Sequence, residues 1–461
     1  MEKSDYVLNS FKTRKINNGF LITTDHGGWI LLNEKEYSAL QSGNFDKDLF
    51  TKLEEKGIVL TSRNRKKIFA EFRAKYNHLF NGTSLHIIVP TLRCNHKCLY
   101  CHSSVKEENE MGFEMDKETV KKTVDFIFQS PANNIMIEFQ GGEPLLNFEA
   151  IQNVVDFVNE KKKTEKKDVT LALISNLSKM DNDILDYLIK NNISICTSFD
   201  GPEEVHNKNR VWAGGNSYKE TVHWINEIKQ RNYFIGALMV TTRFSLPYYK
   251  EIIDEYVKLG LNSIKLRPLD NLGYAQKTID KIGYSAEEYI DFWRKSMDYL
   301  IGVNSNYELK ESMVELILFK MQGYWKNYTD LQSPCGAAIG QLAYSYNGDI
   351  YTCDEGRAYD LFKLGNVSSD NYKKIMTSDK VCNVVASSVN DCLLCDNCVY
   401  KAYCGVCPVC NYAETKNLIP ILSKNDRCKI NKDMFNYIFD KYLFDSETKK
   451  VFSKWTEMKK D

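Results

Sequence analysis

The chain has 461 residues, enough for two or three domains, and its 43% apolar and 12% aromatic content supplies packed cores. With 61 basic and 61 acidic residues the formal net charge is zero, which argues against a general nucleic-acid or anionic-membrane surface. No apolar stretch reaches membrane-spanning length and Met1-Glu2-Lys3-Ser4 starts no signal-peptide core, so the expected compartment is the cytoplasm, where 14 cysteines read as metal ligands rather than disulfides.

Residues 1–83 read as a separate unit. Strand candidates Gly19–Thr24 and Trp29–Asn33 are joined by Asp25-His26-Gly27-Gly28, a hairpin signal, and helical stretches follow through Leu53. Residues 84–275 alternate strand and amphipathic helix. The strands fall near Ser84–Pro90, Ile135–Phe139, Val169–Ile174, Ser194–Ser198, Phe234–Val240 and Ser263–Leu266. Ile151, Val154, Val155 and Val158 share one helical face, and Asp116 can cap the segment bearing Val120, Val124 and Ile127. Six βα steps predict a parallel α/β sheet curved into a partial (β/α)6 barrel of the TIM type, with ligands at the carboxyl ends of its strands.

Directly after the first strand, Cys94, Cys98 and Cys101 stand at C-x3-C-x2-C spacing. An iron–sulfur cube normally takes four thiolates, so three in one loop leave one iron free for another ligand. A zinc site completed by His96 or His102 is the alternative on this loop. The second strand is followed by Gly141-Gly142-Glu143-Pro144, where two glycines let a ligand approach the backbone closely. Ser175-Asn176 follows the third strand and Ser198-Phe199-Asp200 the fourth. These are polar groups at strand ends that also suit ordinary helix caps. Arg210 suits a bidentate grip on a carboxylate, and Leu266 and Arg267 end the sixth strand. Cys196, within a short strand, is expected to be a buried core residue.

Residues 276–333 read as a helical connection, 334–430 as a cysteine-rich domain and 431–461 as a helical tail. Within 334–430, twelve residues separate Cys335 from Gly348 and four separate Gly348 from Cys353. Cys395-x2-Cys398-x5-Cys404 comes next, with Cys407, Cys410 and Cys428 beyond. Paired zinc knuckles, for instance over Cys392, Cys395 and Cys398, are the alternative reading.

The span from Ser84 to Cys428 resembles the radical S-adenosylmethionine (SAM) enzymes with a C-terminal SPASM iron–sulfur domain, and most of all the maturases of the His-Xaa-Ser peptide system. The strings SLHIIVPTLRCNHKCLYC, IEFQGGEPLLNF, TSFDGPEEVHNKNR and SPCGAAIGQLAYSYNGDIYTCDEGR carry the likeness. The resemblance implies a SAM-binding [4Fe–4S] cluster on Cys94, Cys98 and Cys101, whose electron cleaves SAM to a 5'-deoxyadenosyl radical. It places Gly141, Gly142 and Glu143 near the SAM amino group, and Asn176, Ser198, Asp200 and Arg210 on its ribose and carboxylate. Leu266 falls near the adenine. It also implies two auxiliary [4Fe–4S] clusters. Cys395, Cys398, Cys404 and Cys428 would hold the outer one. Cys335, Cys353 and either Cys407 or Cys410 would hold the inner one, because this chain departs from the family's spacing there, and Cys392 and Cys382 are spare. Residues 1–83 resemble a small winged-helix unit that captures a leader peptide by strand addition, a packing extension of the barrel being the other reading. The implied reaction is a thioether or carbon-linked cross-link in a ribosomally made precursor peptide, with an electron donor such as flavodoxin or ferredoxin. A sulfatase-type maturase forming formylglycine, with Asp354 as base, and a non-catalytic zinc scaffold are the rivals.

Overall fold

In a computed structural model, residues 6–325 and 329–457 are described; the Met1–Ser4 stretch lies outside them. The first unit forms an antiparallel sheet of β1 (Phe11–Ile16), β2 (Gly19–Thr24) and β3 (Trp29–Asn33), followed by helices α1 (Glu34–Ser42) and α2 (Lys47–Glu55). The β2–β3 hairpin falls where the Asp-x-Gly-Gly signal puts it. Strand β1, with three charged residues among its six, carries too weak an alternation to be read in advance. Ile22, Leu32, Leu40, Leu49, Leu53 and Ile58 build a small core of their own here. The unit also docks on the C-terminal region: Thr23 Oγ1 donates to the Val399 carbonyl (2.6 Å), and the Tyr403 hydroxyl to the Gly27 carbonyl (2.9 Å).

The main sheet follows from period-two burial. Its strands are β4 (Leu85–Ile88), β5 (Asn134–Phe139), β6 (Asp168–Ser175), β7 (Ile193–Ser198), β8 (Ile235–Val240), β9 (Leu266–Arg267), β10 (Gln341–Tyr344), β11 (Asp349–Tyr351) and β12 (Lys363–Asn366). On β5 the residues Ile135, Ile137 and Phe139 are buried, whereas Met136 is 43% exposed. One face is therefore covered by helices while the other looks into the curved interior. Helix Lys117–Ile127 is capped by Asp116, whose side chain accepts from the Thr119 N–H (2.7 Å), and helix Phe148–Lys161 buries Ile151, Val154, Val155 and Val158 as its spacing predicts.

The sheet order is β9-β8-β7-β6-β5-β4-β10-β11-β12. The first seven run parallel, and the last two return antiparallel. Two features differ from the expectation. The sixth barrel strand is broken: Ser263–Ile264 pairs with Lys310–Glu311, and only Leu266–Arg267 joins the main sheet. The sheet also continues past the barrel, because Gln341–Tyr344 lies parallel to Leu85–Ile88 on its other edge. That pairing joins segments some 250 residues apart, which local pattern does not encode.

Cys196 is a third difference. On β7 the residues Ile193, Ile195 and Thr197 are buried toward the helices, and Cys196 is half-buried on the opposite, interior face. A Cβ at Gly236, its partner on β8, would lie 3.3 Å from its sulfur. Among the described residues no helix is long and apolar enough to cross a membrane.

Candidate active site

Cys94, Cys98 and Cys101 leave the carboxyl end of β4, and the loops after β5, β6 and β7 close around them. All 14 cysteines are free thiols. Burial pushes the Cys101 thiol up to about 12 and the Cys94 thiol well above its usual value. Three buried soft donors on one loop suit a metal–sulfur group, which would take them as thiolates with release of protons.

The glycine pair supports this loop from beneath. The Gly142 N–H donates to the Thr91 carbonyl (3.0 Å) and the Glu143 N–H to the Arg93 carbonyl (2.7 Å). A Cβ at Gly142 would stand 2.0 Å from the Arg93 oxygen, and one at Gly141, where φ is +136°, 2.6 Å from the Thr91 oxygen. The close approach that needs glycine is thus made by the cysteine loop's own backbone. Glu143 is 1% exposed, and its carboxylate accepts from Ser175 Oγ (2.7 Å), the Asn176 N–H (2.8 Å) and the Leu145 N–H (3.0 Å). Burial raises its pKa and these donors oppose the rise.

Asn176 in turn reaches the cysteine loop, donating to Asn95 Oδ1 (3.0 Å) and lying 3.0 Å from His96 Nδ1. His96 Nε2 and His206 Nε2 both meet Ser217 Oγ, at 2.9 and 3.0 Å. Burial lowers the His96 pKa to about 3, so the ring is neutral. Both of its nitrogens are occupied by this network, and none is left for zinc.

Tyr100, not foreseen from sequence, ties the cysteine loop to the fourth strand end. Its hydroxyl donates to Asp200 Oδ2 (2.8 Å) and accepts from Arg210 (2.7 Å). Burial pushes Asp200 up to about 6, against the pull of Arg210 and of that hydroxyl. Arg210 is 5% exposed and its Nε–H has no partner among the described residues. A buried guanidinium with an unused N–H fits a ligand carboxylate. Ser198 lies on the interior face two residues before Asp200. Leu266 does not join this group: its side chain is 2% exposed in the helix-covered core, its N–H donates to Glu311 and its carbonyl accepts from the Tyr289 hydroxyl.

The extra strand β10 brings a second cysteine region alongside. His102, one residue after Cys101, meets Asp354, one residue after Cys353, at 2.6 Å. Arg357 completes an ion pair with the same carboxylate (Nε to Oδ1, 2.9 Å) and reaches Ser103 Oγ (3.0 Å). Although burial alone would raise its pKa, Arg357 and His102 hold Asp354 far below the usual carboxylate range. So held, Asp354 joins two loops and accepts a proton poorly.

The C-terminal cysteines sort into two groups. Cys335, Cys353, Cys407 and Cys410 meet in one apolar cluster with Leu272, Ala337, Phe362 and Val409. Cys407 and Cys410 are both in it, the Cys410 N–H donating to Cys407 Sγ (3.4 Å). Cys395 and Cys404 lie within electrostatic reach of Cys398, as do Cys392 of Cys395 and Cys428 of Cys404. Cys382 stands exposed on helix Asp379–Ser387. A cavity of about 260 Å³ opens beside Cys410, lined among others by Asp270, Tyr284, Glu414 and Arg427.

The sequence profile of the Radical SAM superfamily matches residues 88–255. The chain is similar to the radical SAM cyclopropyl synthase TigE of Paramaledivibacter caminithermalis, at 23% identity over 87% of this chain and 86% of that protein. It is also similar to the cysteine-type anaerobic sulfatase-maturating enzyme of Clostridium perfringens, at 22% identity over 76% of this chain and 94% of that one. Among solved structures the fold matches anSMEcpe with bound AdoMet and Cp18Cys peptide, with TM-score 0.68 and 20% identity over 80% of this chain and 99% of that one. It matches Streptococcus suis SuiB bound to precursor peptide SuiA with TM-score 0.57 and 13% identity, over 90% and 98% of the two chains.

Proposed function

We propose that this chain, whose residues 88–255 match the Radical SAM superfamily, is a maturase that installs a thioether or carbon-linked cross-link in a ribosomally made peptide. The observation that carries this reading is the His102–Asp354 contact, which sets a second cysteine group directly beside the first. A reaction that removes two hydrogens from one peptide needs both a site that starts a radical and a neighbouring acceptor for the last electron.

When bound, the [4Fe–4S] cluster and SAM supply one-electron bond cleavage and hydrogen-atom abstraction. Cys94, Cys98 and Cys101 would hold the cluster; Arg210 and Asp200, linked through Tyr100, would bind and orient the SAM carboxylate and ribose, with Asn176 and Ser198 beside them. Gly141, Gly142 and Glu143 hold the cysteine loop through its backbone and would lie near the SAM amino group. Cys335, Cys353, Cys407 and Cys410 suit an inner auxiliary cluster closed by four protein thiols. Cys395, Cys398, Cys404 and Cys428 suit an outer one. In this reading residues 334–430 form a SPASM domain, 276–333 connect it to the 84–275 core and 431–461 close the chain. The 1–83 unit serves as a peptide-recognition element, and a flavodoxin or ferredoxin in the cytoplasm delivers electrons.

SuiB is bound to a precursor peptide, and SuiA stands as the example of that substrate class. The test is intact mass of peptides encoded beside this gene after anaerobic co-expression. Loss of two hydrogens per modification is expected. Unmodified peptide beside an enzyme that still cleaves SAM, with formylglycine formed on a sulfatase peptide, would replace this reading with the sulfatase-type one.

A further inference from the structure

Among the described residues Lys320 is the most deeply buried cation outside the SAM site. It stands in the last turn of helix Ser312–Met321 at 1% exposure. Its Nζ donates to the carbonyls of Leu331 (2.5 Å) and Tyr403 (3.4 Å) and lies 5.8 Å from the Trp325 ring centre. Among the described residues no carboxylate is within ion-pair distance of it, and Asp330, which bears on it more weakly, is paired with Lys265 at 2.6 Å. Burying an ammonium without a counter-ion costs several kcal/mol, about the scale at which a fold requires compensation.

The compensation points to Cys404. Tyr403, whose carbonyl holds the ammonium, immediately precedes that cysteine. From the other side Asn431 Nδ2 donates to Cys404 Sγ (3.7 Å). At the inner group the charges are paired: the Cys410 thiol donates to Asp270 Oδ1 (3.4 Å), whose carboxylate is held by Arg427 and by Arg267 (3.1 Å), and Glu355 is paired with Arg267 (2.8 Å).

We propose that Lys320, assisted by Asn431, is the fixed counter-charge of the outer cysteine group and makes a cluster held there easier to reduce than one on the inner group. Reduction adds one electron and one negative charge to a cluster, so a buried cation and an N–H donor to sulfur both favour the reduced form. An electron released near the inner group would then pass outward. This rests on the auxiliary-cluster reading above.

The experiment uses the full-length chain, reconstituted with iron and sulfide, in a Cys94→Ala/Cys98→Ala/Cys101→Ala background so that only auxiliary clusters remain. A dithionite titration followed by electron paramagnetic resonance should show two one-electron steps. Lys320→Met is expected to lower the reduced-to-oxidised ratio of the higher-potential step about tenfold, equivalent to about 59 mV, and to leave the lower step in place. Lys320→Arg should restore most of it. Asn431→Leu, which keeps the charge, should move the same step the same way by less, and serves alone if Lys320→Met does not fold. A full complement of about eight irons with the higher step unmoved, or with the shift on the lower step, overturns the assignment of Lys320. Iron near zero in that background overturns the auxiliary-cluster reading itself, and this proposal with it.

Discussion

Gly142 has no room for a side chain, because a Cβ there would sit 2.0 Å from a backbone oxygen of the cysteine loop. Gly142→Ala should displace that loop. The expected result is loss of about four irons per chain while any iron on the C-terminal cysteines stays, measured by iron and sulfide analysis; full iron would remove the supporting role. Tyr100 is the second residue-scale case. Tyr100→Phe leaves Asp200 and Arg210 buried without the hydroxyl between them, a loss of about 1–3 kcal/mol. Urea unfolding should show a lower midpoint, and an unchanged midpoint would mean the hydroxyl carries nothing. The cysteine spacing and the Gly-Gly-Glu segment were readable because each is contiguous in the chain. What the glycines face was not, since Arg93 reaches Gly142 only after the strand–loop–strand path has closed. Cys196 shows the same limit. In Ser-Ile-Cys-Thr-Ser the alternation is clear, but the side that faces the helices is decided by the neighbouring strands.

Elements are held at their weak points by specific groups. Where the sixth barrel strand breaks, Glu311 bridges the gap: it accepts from the Leu266 N–H (3.1 Å) and caps the next helix through the Val314 N–H (2.7 Å). Burial raises its pKa from 4.5 to about 7. Between those values the folded state keeps a proton that the unfolded state has released. This contribution to stability is therefore full below pH 4.5 and lost as pH rises to about 7, at up to about 1.4 kcal/mol per pH unit. Glu311→Gln should flatten the dependence of unfolding free energy on pH across that window, and an unchanged slope would place the proton elsewhere. In the N-terminal unit, Leu53 is fully buried within a small separate core. Leu53→Ala should cost about 2–5 kcal/mol and loosen that unit first, seen as faster amide hydrogen exchange over β2 and β3 than over β5 and β6. The helices were readable from caps and from 3.6-residue periodicity. The broken strand was not, because Ser-Ile-Lys-Leu-Arg carries a continuous β pattern and only the competing partner at Lys310–Glu311 divides it.

Across the whole molecule, the barrel and the cysteine-rich region are one sheet, with Gln341–Tyr344 in register beside Leu85–Ile88 and the Tyr344 hydroxyl 2.8 Å from His86 Nδ1. A chain ended at residue 333 would leave the edge of Leu85–Ile88 open. It should aggregate on expression, while the full chain melts in a single transition by calorimetry; a soluble, iron-loaded 1–333 fragment would show the two parts to be independent. The continuity also bears on how such proteins can be recombined. A hybrid made by exchanging everything after residue 333 between relatives inherits a foreign strand along the first barrel strand, and with it a foreign partner for His102. Crossovers that preserve both must fall inside the sheet's pairing, not at the apparent border between domains. The natural unit of exchange is larger than the cysteine-rich region, and the cysteine-bearing loops travel as a matched set.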